Sequence, residues 1–316
     1  MRRKEKMTRS ELVFHVIDKA LHPVQNYRRF KNIIKETDFV YDENYPEDCT
    51  CDIYYNPELI KTKKLPIVVN IHGGGFVKGD KKHRTSISGL YASKGYFVLN
   101  INYRLSPKAK FPSGIQDSVS AINYLGTLKE KYNIDLDKIV VTGDSAGAYY
   151  ATMLVAVTHD EDLRDKLNCA QVKYKPACLV SCCGPYDLVS LITTVKLPFD
   201  FFWDVGTCLL GSDKFQLEKD FSNIEDYELL KELDPVSRVN ENWCPTLLVI
   251  SEKDIFCRGQ GEILENKLKE TGILVETFKS KKIVDNHCFH LDMYKSISRR
   301  CYKTIFEFMD RVLNKE

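Results

Sequence analysis

The sequence lacks an apolar stretch of the roughly 18 uncharged residues that a helix needs to span a bilayer. Its N-terminal segment MRRKEKMTR is basic, but no apolar segment follows it, so a signal peptide is not predicted. The net charge of +2 over 316 residues gives no bulk attraction to nucleic acid or anionic membranes. We therefore expect a cytoplasmic protein that acts on a small molecule. The sequence does not decide between a monomer and a homodimer.

The sequence also lacks cysteine and histidine pairs at the short spacings typical of zinc sites. The eleven cysteines are an odd number, and no CxxC pair occurs among them. Without an export signal, they are expected to be reduced thiols that pack as small apolar residues. The phosphate-binding pattern GxxxxGK[ST] is missing as well. No metal and no organic cofactor are therefore predicted.

What the sequence does contain is an alternation of apolar strand-like segments and helical segments from residue 65 onward. Together with two earlier extended segments this gives eight predicted strands: 38–41, 51–55, 65–71, 96–102, 138–143, 177–181, 246–251 and 273–278. Such alternation indicates a mainly parallel sheet with helices on both faces. Before these strands, one helix is predicted to end near Pro23 and a second to cover residues 27–34.

Residues 187–235 interrupt this alternation and are long for a connection between two strands. The segment is mostly helical in pattern and rich in aromatic residues, including Phe199, Phe201, Phe202 and Trp203. An insertion of this kind is typical of a lid or a substrate-binding cap. Its aromatic side chains either line a pocket or pack the cap against the body, and the two interpretations are compatible.

The segment GDSAG at 143–147 follows the strand KIVV and precedes the helix AGAYYATML. A strand, a tight turn and a helix are the setting of a nucleophile elbow, in which a serine side chain stands at the end of the sheet. Flanking glycines avoid collisions with the neighbouring strand and helix. The start of the helix favours negative charge. Ser145 is therefore a candidate nucleophile, and an ordinary turn is the alternative.

A serine hydroxyl needs a base, a residue that orients the base, and donors for the developing oxyanion. The segment IHGGGFVKGD at 71–80 follows a predicted strand, and its three successive glycines, 73–75, let backbone N–H groups approach a ligand closely. The N–H of Ala146, directly after the candidate nucleophile, is a further donor. These features predict an acyl-transfer site at the carboxyl edge of the sheet.

The acid and base candidates follow in the chain order Ser, Asp, His expected for this arrangement. Asp254 in SEKDIF lies just after the strand TLLVIS, with Glu252 as its nearest competitor. His287 in DNHCFH lies between the last strand and the last helix. We prefer it to His290, which is expected within the helix.

These motifs resemble the hormone-sensitive-lipase-like family of α/β-hydrolases, which includes bacterial short-chain carboxylesterases and arylacetamide deacetylase. The match runs from about Leu65 to the C-terminus. It rests on IHGGGF (71–76), NYRLSPKAKFPSGIQDSVSAINYL (102–125), GDSAG (143–147), DPVSR (234–238), SEKDIF (251–256) and HCF (287–289). The resemblance implies an α/β-hydrolase fold with an eight-stranded, mostly parallel sheet and a helical cap. The cap would comprise residues 1–35 and 187–235, on a core of 36–186 and 236–316.

The resemblance also implies roles for individual residues. Carried over by position, these are the nucleophile Ser145, the acid Asp254, the base His287, and the oxyanion donors Gly74, Gly75 and Ala146. Two positions depart from the family: GDSAG is followed by Ala148-Tyr149 instead of Gly-Asn, and Cys288 follows the histidine where a small residue is common. Candidates for the substrate pocket are Phe76, Tyr149, Phe202 and Trp203.

The expected function is that of a serine carboxylesterase for short acyl chains, from acetyl to about hexanoyl. An unperturbed histidine base protonates at about pH 6.5, so activity should be lost below about pH 6. One alternative is an amidase, or a deacetylase of acetylated sugars or peptides, that uses the same three residues. Another is a non-catalytic ligand-binding module with a closed cap, although all three catalytic positions are filled here.

Overall fold

The computed structural model describes residues 7–314 and contains one eight-stranded sheet in the order β1-β2-β4-β3-β5-β6-β7-β8. The strands are β1 (Ile34–Val40), β2 (Thr50–Tyr55), β3 (Leu65–Ile71), β4 (Phe97–Ile101), β5 (Ile134–Asp144), β6 (Cys178–Cys182), β7 (Thr246–Ser251) and β8 (Val275–Ser280). Strand β2 runs antiparallel to both β1 and β4, and the other neighbours are parallel. The carboxyl ends of β3, β4, β5, β6, β7 and β8 therefore meet at one edge.

Ten α-helices connect or flank these strands in the described part of the chain. They are α1 (Arg9–Gln25), α2 (Leu59–Thr62), α3 (Thr85–Ser93), α4 (Ser113–Leu128), α5 (Ala146–His159), α6 (Glu161–Lys166), α7 (Leu188–Thr194), α8 (Phe201–Leu210), α9 (Gln260–Glu270) and α10 (Ser296–Leu313). None of these helices combines the length and the apolar character that a membrane-crossing segment requires.

Both faces of the central strands are buried, which explains their uninterrupted apolar sequences. Val69 and Val141 belong to one apolar cluster, which continues into helices α4 and α5. Their neighbours Val68 and Val140 belong to a second cluster, formed with α3 and α10 on the opposite face. Alternate residues of a strand point to opposite faces, so a strand covered on both sides needs apolar residues throughout. The predicted eight-stranded, mostly parallel sheet with helices on both faces is confirmed.

The N-terminal region differs from the prediction in two places. Helix α1 continues past Pro23 to Gln25, because a proline in the last turn removes only one internal hydrogen bond. The helix predicted over residues 27–34 is wrong: this segment is irregular, Asn32 has a φ of 60°, and strand β1 begins at Ile34. Pairing of Ile34 with Tyr55 in the sheet outweighs the weak local helical pattern.

Helix α1 packs on α8 above the carboxyl edge of the sheet. The backbone N–H and the hydroxyl of Ser10 donate to the Asp204 carboxylate at 2.7 and 2.6 Å, and the rings of Phe14 and Phe201 lie 5.6 Å apart. This is where a cap should lie, and the division into cap and core stays a prediction. Residues 1–6, which carry most of the basic N-terminal segment, lie outside the described residues.

Candidate active site

Ser145 occupies a sharp turn between β5 and α5. Its backbone has φ 53° and ψ −123°, a conformation that residues with a side chain seldom adopt. A Cβ on Gly147 would lie 2.1 Å from the Ile71 carbonyl oxygen, and one on Gly143 would lie 2.4 Å from the Gly147 backbone. Glycine is therefore required on both sides of the serine, as expected for a nucleophile elbow.

The structure brings Ser145, His287 and Asp254 into one hydrogen-bonded chain. The Nε2 atom of His287 lies 2.9 Å from the Ser145 hydroxyl oxygen. Its Nδ1 atom lies 2.9 and 2.8 Å from the two carboxylate oxygens of Asp254. The competitors lie elsewhere: Glu252 is paired with Lys281, and His290 is buried beside the ring of Phe289.

Asp254 is held as a carboxylate by the loop that follows β7. Its Oδ1 atom accepts the backbone N–H groups of Phe256 and Cys257 at 2.8 and 2.9 Å. Burial raises the pKa of this carboxyl, but the charge and hydrogen bond of His287, helped by the two amide donors, hold the pKa below its usual value. An ionised acid in this position fixes the tautomer of the histidine, with the proton on Nδ1 and the lone pair on Nε2.

The same carboxylate controls the basicity of His287. Burial alone lowers the pKa of the imidazole, but the adjacent Asp254 raises it to about 9. This value is above the unperturbed one on which the sequence-based pH expectation rests. The structure therefore moves the expected loss of activity in acid to a higher pH.

Two residues that the sequence reasoning missed position the base. The Asn286 side-chain oxygen accepts the backbone N–H of His287 at 2.7 Å and that of Ile255 at 3.1 Å, so it joins the acid and base loops. The buried Asp285 accepts the Ser280 hydroxyl at 2.7 Å, which ties the base loop to the end of β8. The only feature of the sequence that could have indicated this role is that the two residues directly precede the candidate histidine.

The glycine loop after β3 carries two of the expected oxyanion donors. Gly74 has a φ of 135°, and a Cβ there would lie 2.0 Å from the Lys78 carbonyl oxygen. Among the described residues, the N–H groups of Gly74 and Gly75 donate to no protein acceptor. The N–H of Ala146, at the first position of α5, has no acceptor within the helix. These three amides are available to a ligand oxygen beside Ser145.

Asp144, the second residue of GDSAG, connects the elbow to the glycine loop. Its buried carboxylate accepts Nε and Nη2 of Arg84 at 2.5 Å each and the backbone N–H of Gly73 at 3.2 Å. Burial raises the pKa of this carboxyl, but Arg84 outweighs burial and holds the pKa below its usual value. This ion pair was not predicted, because Arg84 is distant in sequence and belongs to no motif.

Two cavities border Ser145 and differ in character. One measures about 30 Å³ and is lined almost entirely by apolar side chains, including the predicted Phe76 and Phe202. The other measures about 290 Å³ and is bordered by His287 and by the charged side chains of Asp18 and Arg84. Several residues of the small cavity were not predicted, among them Phe14, Leu188, Leu191, Val205 and Phe256.

The other two predicted pocket residues pack elsewhere. The buried Tyr149 donates its hydroxyl to the Leu233 carbonyl oxygen at 2.8 Å and packs edge-on against Phe76. The indole N–H of Trp203 donates to the Leu217 carbonyl oxygen at 3.0 Å. Tyr149 therefore supports the pocket wall from behind, and Trp203 holds the cap segment together.

Three cysteines lie around the histidine, although no motif in the sequence links them. The sulfurs of Cys183 and Cys288 and a ring nitrogen of His287 all lie within 4.8 Å of one another. Cys257 lies within the same distance of Asp254 and His287. Sequence spacing could not reveal these groups, because their members come from loops after different strands.

Comparison with known proteins gives three findings. A family model described as BD-FAE matches residues 51–268. An alpha/beta hydrolase of Acanthamoeba polyphaga mimivirus is 25% identical over 264 residues, which cover 81% of this chain and 69% of that protein. The acetyl esterase of Salmonella schwarzengrund is 34% identical over 99 residues, which cover 31% of each protein.

Solved structures show the same fold over nearly the whole chain. Esterase B of Lactobacillus rhamnosis has a TM-score of 0.81 at 20% identity, with 96% of this chain and 93% of that chain covered. That enzyme has also been solved with a C4-C4 tributyrin phosphonate inhibitor. The shared fold therefore extends beyond residues 51–268, the part that the family model matches.

Proposed function

The chain belongs to the BD-FAE family, and from this premise we propose that it is a serine carboxylesterase that hydrolyses esters of short acyl chains. The observation that carries the proposal is the hydrogen-bonded chain of Ser145, His287 and Asp254, with Gly74 and Gly75 bordering the two cavities beside Ser145. The named esterases among the similar proteins support the same activity.

In the first half of the reaction, the Ser145 hydroxyl attacks the ester carbonyl while His287 Nε2 takes its proton. Asp254 holds Nδ1–H and stabilises the imidazolium that forms. The carbonyl oxygen becomes an oxyanion, which accepts hydrogen bonds from the N–H groups of Gly74, Gly75 and Ala146. The amides are fixed before the substrate arrives, so their orientation costs nothing during the reaction.

In the second half, His287 gives its proton to the leaving alcohol and the acyl group stays on Ser145. Water then attacks the acyl-enzyme, with His287 again acting as the base, and the carboxylic acid departs. The leaving alcohol must lie on the histidine side of the serine. The 290 Å³ cavity, which His287 borders, fits the alcohol portion of the ester.

The acyl group then occupies the other side of Ser145. That cavity measures about 30 Å³ and is closed by Phe76, Phe202 and other apolar side chains. So small an apolar space favours acetyl over longer chains. The acetyl esterase relative points in the same direction.

A panel of p-nitrophenyl esters from acetyl to decanoyl tests the proposal, together with acetanilides and acetylated sugars. We expect the highest kcat/KM for acetyl or propionyl esters and slow turnover of anilides, with all activity lost in Ser145→Ala. An optimum at octanoyl or longer would contradict the short-chain proposal. Faster turnover of anilides than of esters would instead identify an amidase.

A further inference from the structure

A cluster of soft ligand atoms lies directly against the catalytic histidine. Cys183 follows strand β6, where its backbone N–H donates to the Val249 carbonyl oxygen at 2.8 Å. Cys288 follows His287 in sequence. Their sulfurs and a ring nitrogen of His287 form a triangle with no side longer than 4.8 Å.

Both cysteines occupy backbone conformations that favour glycine. Cys183 has a φ of 52° and Cys288 a φ of 53°. A residue with a Cβ is disfavoured in this left-handed region. Both thiols are therefore held in place at a conformational cost. Glycine would be the least strained residue at either position.

The triangle has nearly the dimensions of a tetrahedral zinc site. Zn–S bonds of about 2.3 Å and Zn–N bonds of about 2.0 Å place tetrahedral ligand atoms about 3.5–3.8 Å apart. The three ligand atoms already lie within 4.8 Å of one another. The observed separations are therefore within about 1 Å of those that a tetrahedral zinc ion requires.

The cluster is also reachable from the substrate cavity. Cys288 and His287 both line the 290 Å³ cavity beside Ser145, which gives an ion a path to the site. Water from the same cavity can supply the fourth ligand of a tetrahedral ion.

We propose that Cys183, Cys288 and His287 form a binding site for a soft divalent cation such as Zn²⁺, and that its occupation reversibly inhibits the enzyme. The ion takes the lone pair of a ring nitrogen. The hydrogen bond of that nitrogen to Ser145 or Asp254 is then lost, and the base no longer functions. Binding releases the two thiol protons and, where His287 is an imidazolium, one imidazole proton as well.

A second group, Asp254, Cys257 and His287, shares the histidine and is the rival site. It offers one sulfur instead of two, and one carboxylate oxygen of Asp254 already accepts two backbone N–H groups. A soft cation prefers the site with two thiolates.

The test uses the fully reduced, full-length protein and two cations. Cd²⁺ titration, followed by the ultraviolet charge-transfer band of cadmium thiolates, should show two thiolates in the wild type and at most one in Cys183→Ser or Cys288→Ser. Cys257→Ser is the matched control and should keep the full band. A band lost in Cys257→Ser but kept in the other two variants would overturn the proposal. A wild type without a band would overturn it as well.

The inhibition is measured with Zn²⁺, relative to the activity of each variant without metal. We expect the half-inhibitory Zn²⁺ concentration to rise at least tenfold in Cys183→Ser and Cys288→Ser, to stay unchanged in Cys257→Ser, and wild-type activity to return after chelation. Equal inhibition of all variants would contradict the assignment. If the circular dichroism spectrum of a serine variant shows that it is unfolded, the corresponding alanine variant, Cys183→Ala or Cys288→Ala, is tested in its place.

This inhibition rests on the proposed esterase activity, but the cadmium band does not. If the band appears and no ester is hydrolysed, the proposed function fails and the cation site stands. If esters are hydrolysed and no band forms, the cation site fails alone.

Discussion

The carboxyl edge of the sheet and the helices that cover it hold their side chains by different means. At the edge, the candidate catalytic residues are fixed by backbone geometry and buried polar contacts, such as the Arg84–Asp144 pair and the hydrogen bonds of Asn286. In the cover, α1, α7 and α8 are held mainly by apolar packing, for example between Phe14, Phe201 and Phe256 at centroid distances of 5.6–6.1 Å.

We expect the edge to govern the chemical step and the cover to govern substrate preference. Changes at the edge displace reacting groups that tolerate little movement, whereas changes in the cover alter the size of the apolar cavity beside Ser145. We therefore expect large effects on turnover from the edge and smaller effects on substrate preference from the cover.

The largest effect is expected for Asp254→Asn at the edge. An amide cannot stabilise the imidazolium and favours the wrong tautomer of His287, so kcat should fall by about 10⁴-fold.

The variant also tests the pH dependence. Asp254 raises the pKa of His287 to about 9, and a base works only when neutral, so wild-type kcat/KM should rise with pH through a midpoint above 6.5.

In Asp254→Asn this midpoint should move to lower pH, because the carboxylate that raises the pKa is gone. The measurement is kcat/KM from pH 5 to pH 10 for both proteins. An identical midpoint in the two proteins would show that Asp254 does not control the base.

The next effect concerns stability at the same edge. Asp144→Asn leaves the buried guanidinium of Arg84 without a charged partner, which should lower the free energy of unfolding by about 3–5 kcal/mol. Urea denaturation measures this change. Glu58→Gln, which removes an exposed ion pair with Lys61, is the control and should leave the denaturation midpoint nearly unchanged. Equal decreases in the free energy of unfolding in the two variants would contradict the expectation that the buried ion pair contributes more than the exposed one.

Gly74→Ala tests the oxyanion loop. The new Cβ would lie 2.0 Å from the Lys78 carbonyl oxygen, so the loop must shift and its N–H should leave the oxyanion. We expect kcat to fall by about 10²- to 10³-fold, as for the loss of one oxyanion donor. Gly272→Ala is the matched control, since Gly272 also has a positive φ but has no atom within 4 Å of the added Cβ. It should cost some stability and leave kcat unchanged; a comparable fall in kcat would mean that the loss is not specific to the loop.

The smallest effect is expected in the cover. Phe202→Ala enlarges the apolar cavity and should raise the ratio of kcat/KM for butyryl over acetyl esters by about tenfold. Trp203→Ala is the neighbouring control, because the Trp203 indole bonds to Leu217. Its substrate preference should match the wild type. A shift in Trp203→Ala but not in Phe202→Ala would place the acyl group elsewhere.

The same contrast explains what could be predicted from the sequence. The family and the fold, both expected from the motifs, are confirmed. The elbow around Ser145 and the glycine loop are local backbone requirements, so a few adjacent residues reveal them. Asp254 and His287 could be named because chain order and strand ends left few candidates.

The rest depends on contacts between distant segments. Nothing adjacent to Arg84 in the sequence indicates that it pairs with Asp144, and nothing in α1 indicates that Phe14 lines the cavity beside Ser145. Tyr149 was expected in the pocket because it follows the nucleophile on the same helix, but its side chain packs behind Phe76 instead. Local patterns predict where a residue lies along the chain, and only packing decides which way it faces.

The most direct test of the catalytic account is covalent labelling with a fluorophosphonate probe, followed by peptide mapping. The account predicts a single modified residue, Ser145, with labelling slowed strongly in a folded His287→Ala variant because the base no longer activates the hydroxyl. No labelling of the wild type, a label on another residue, or undiminished labelling of His287→Ala would contradict it.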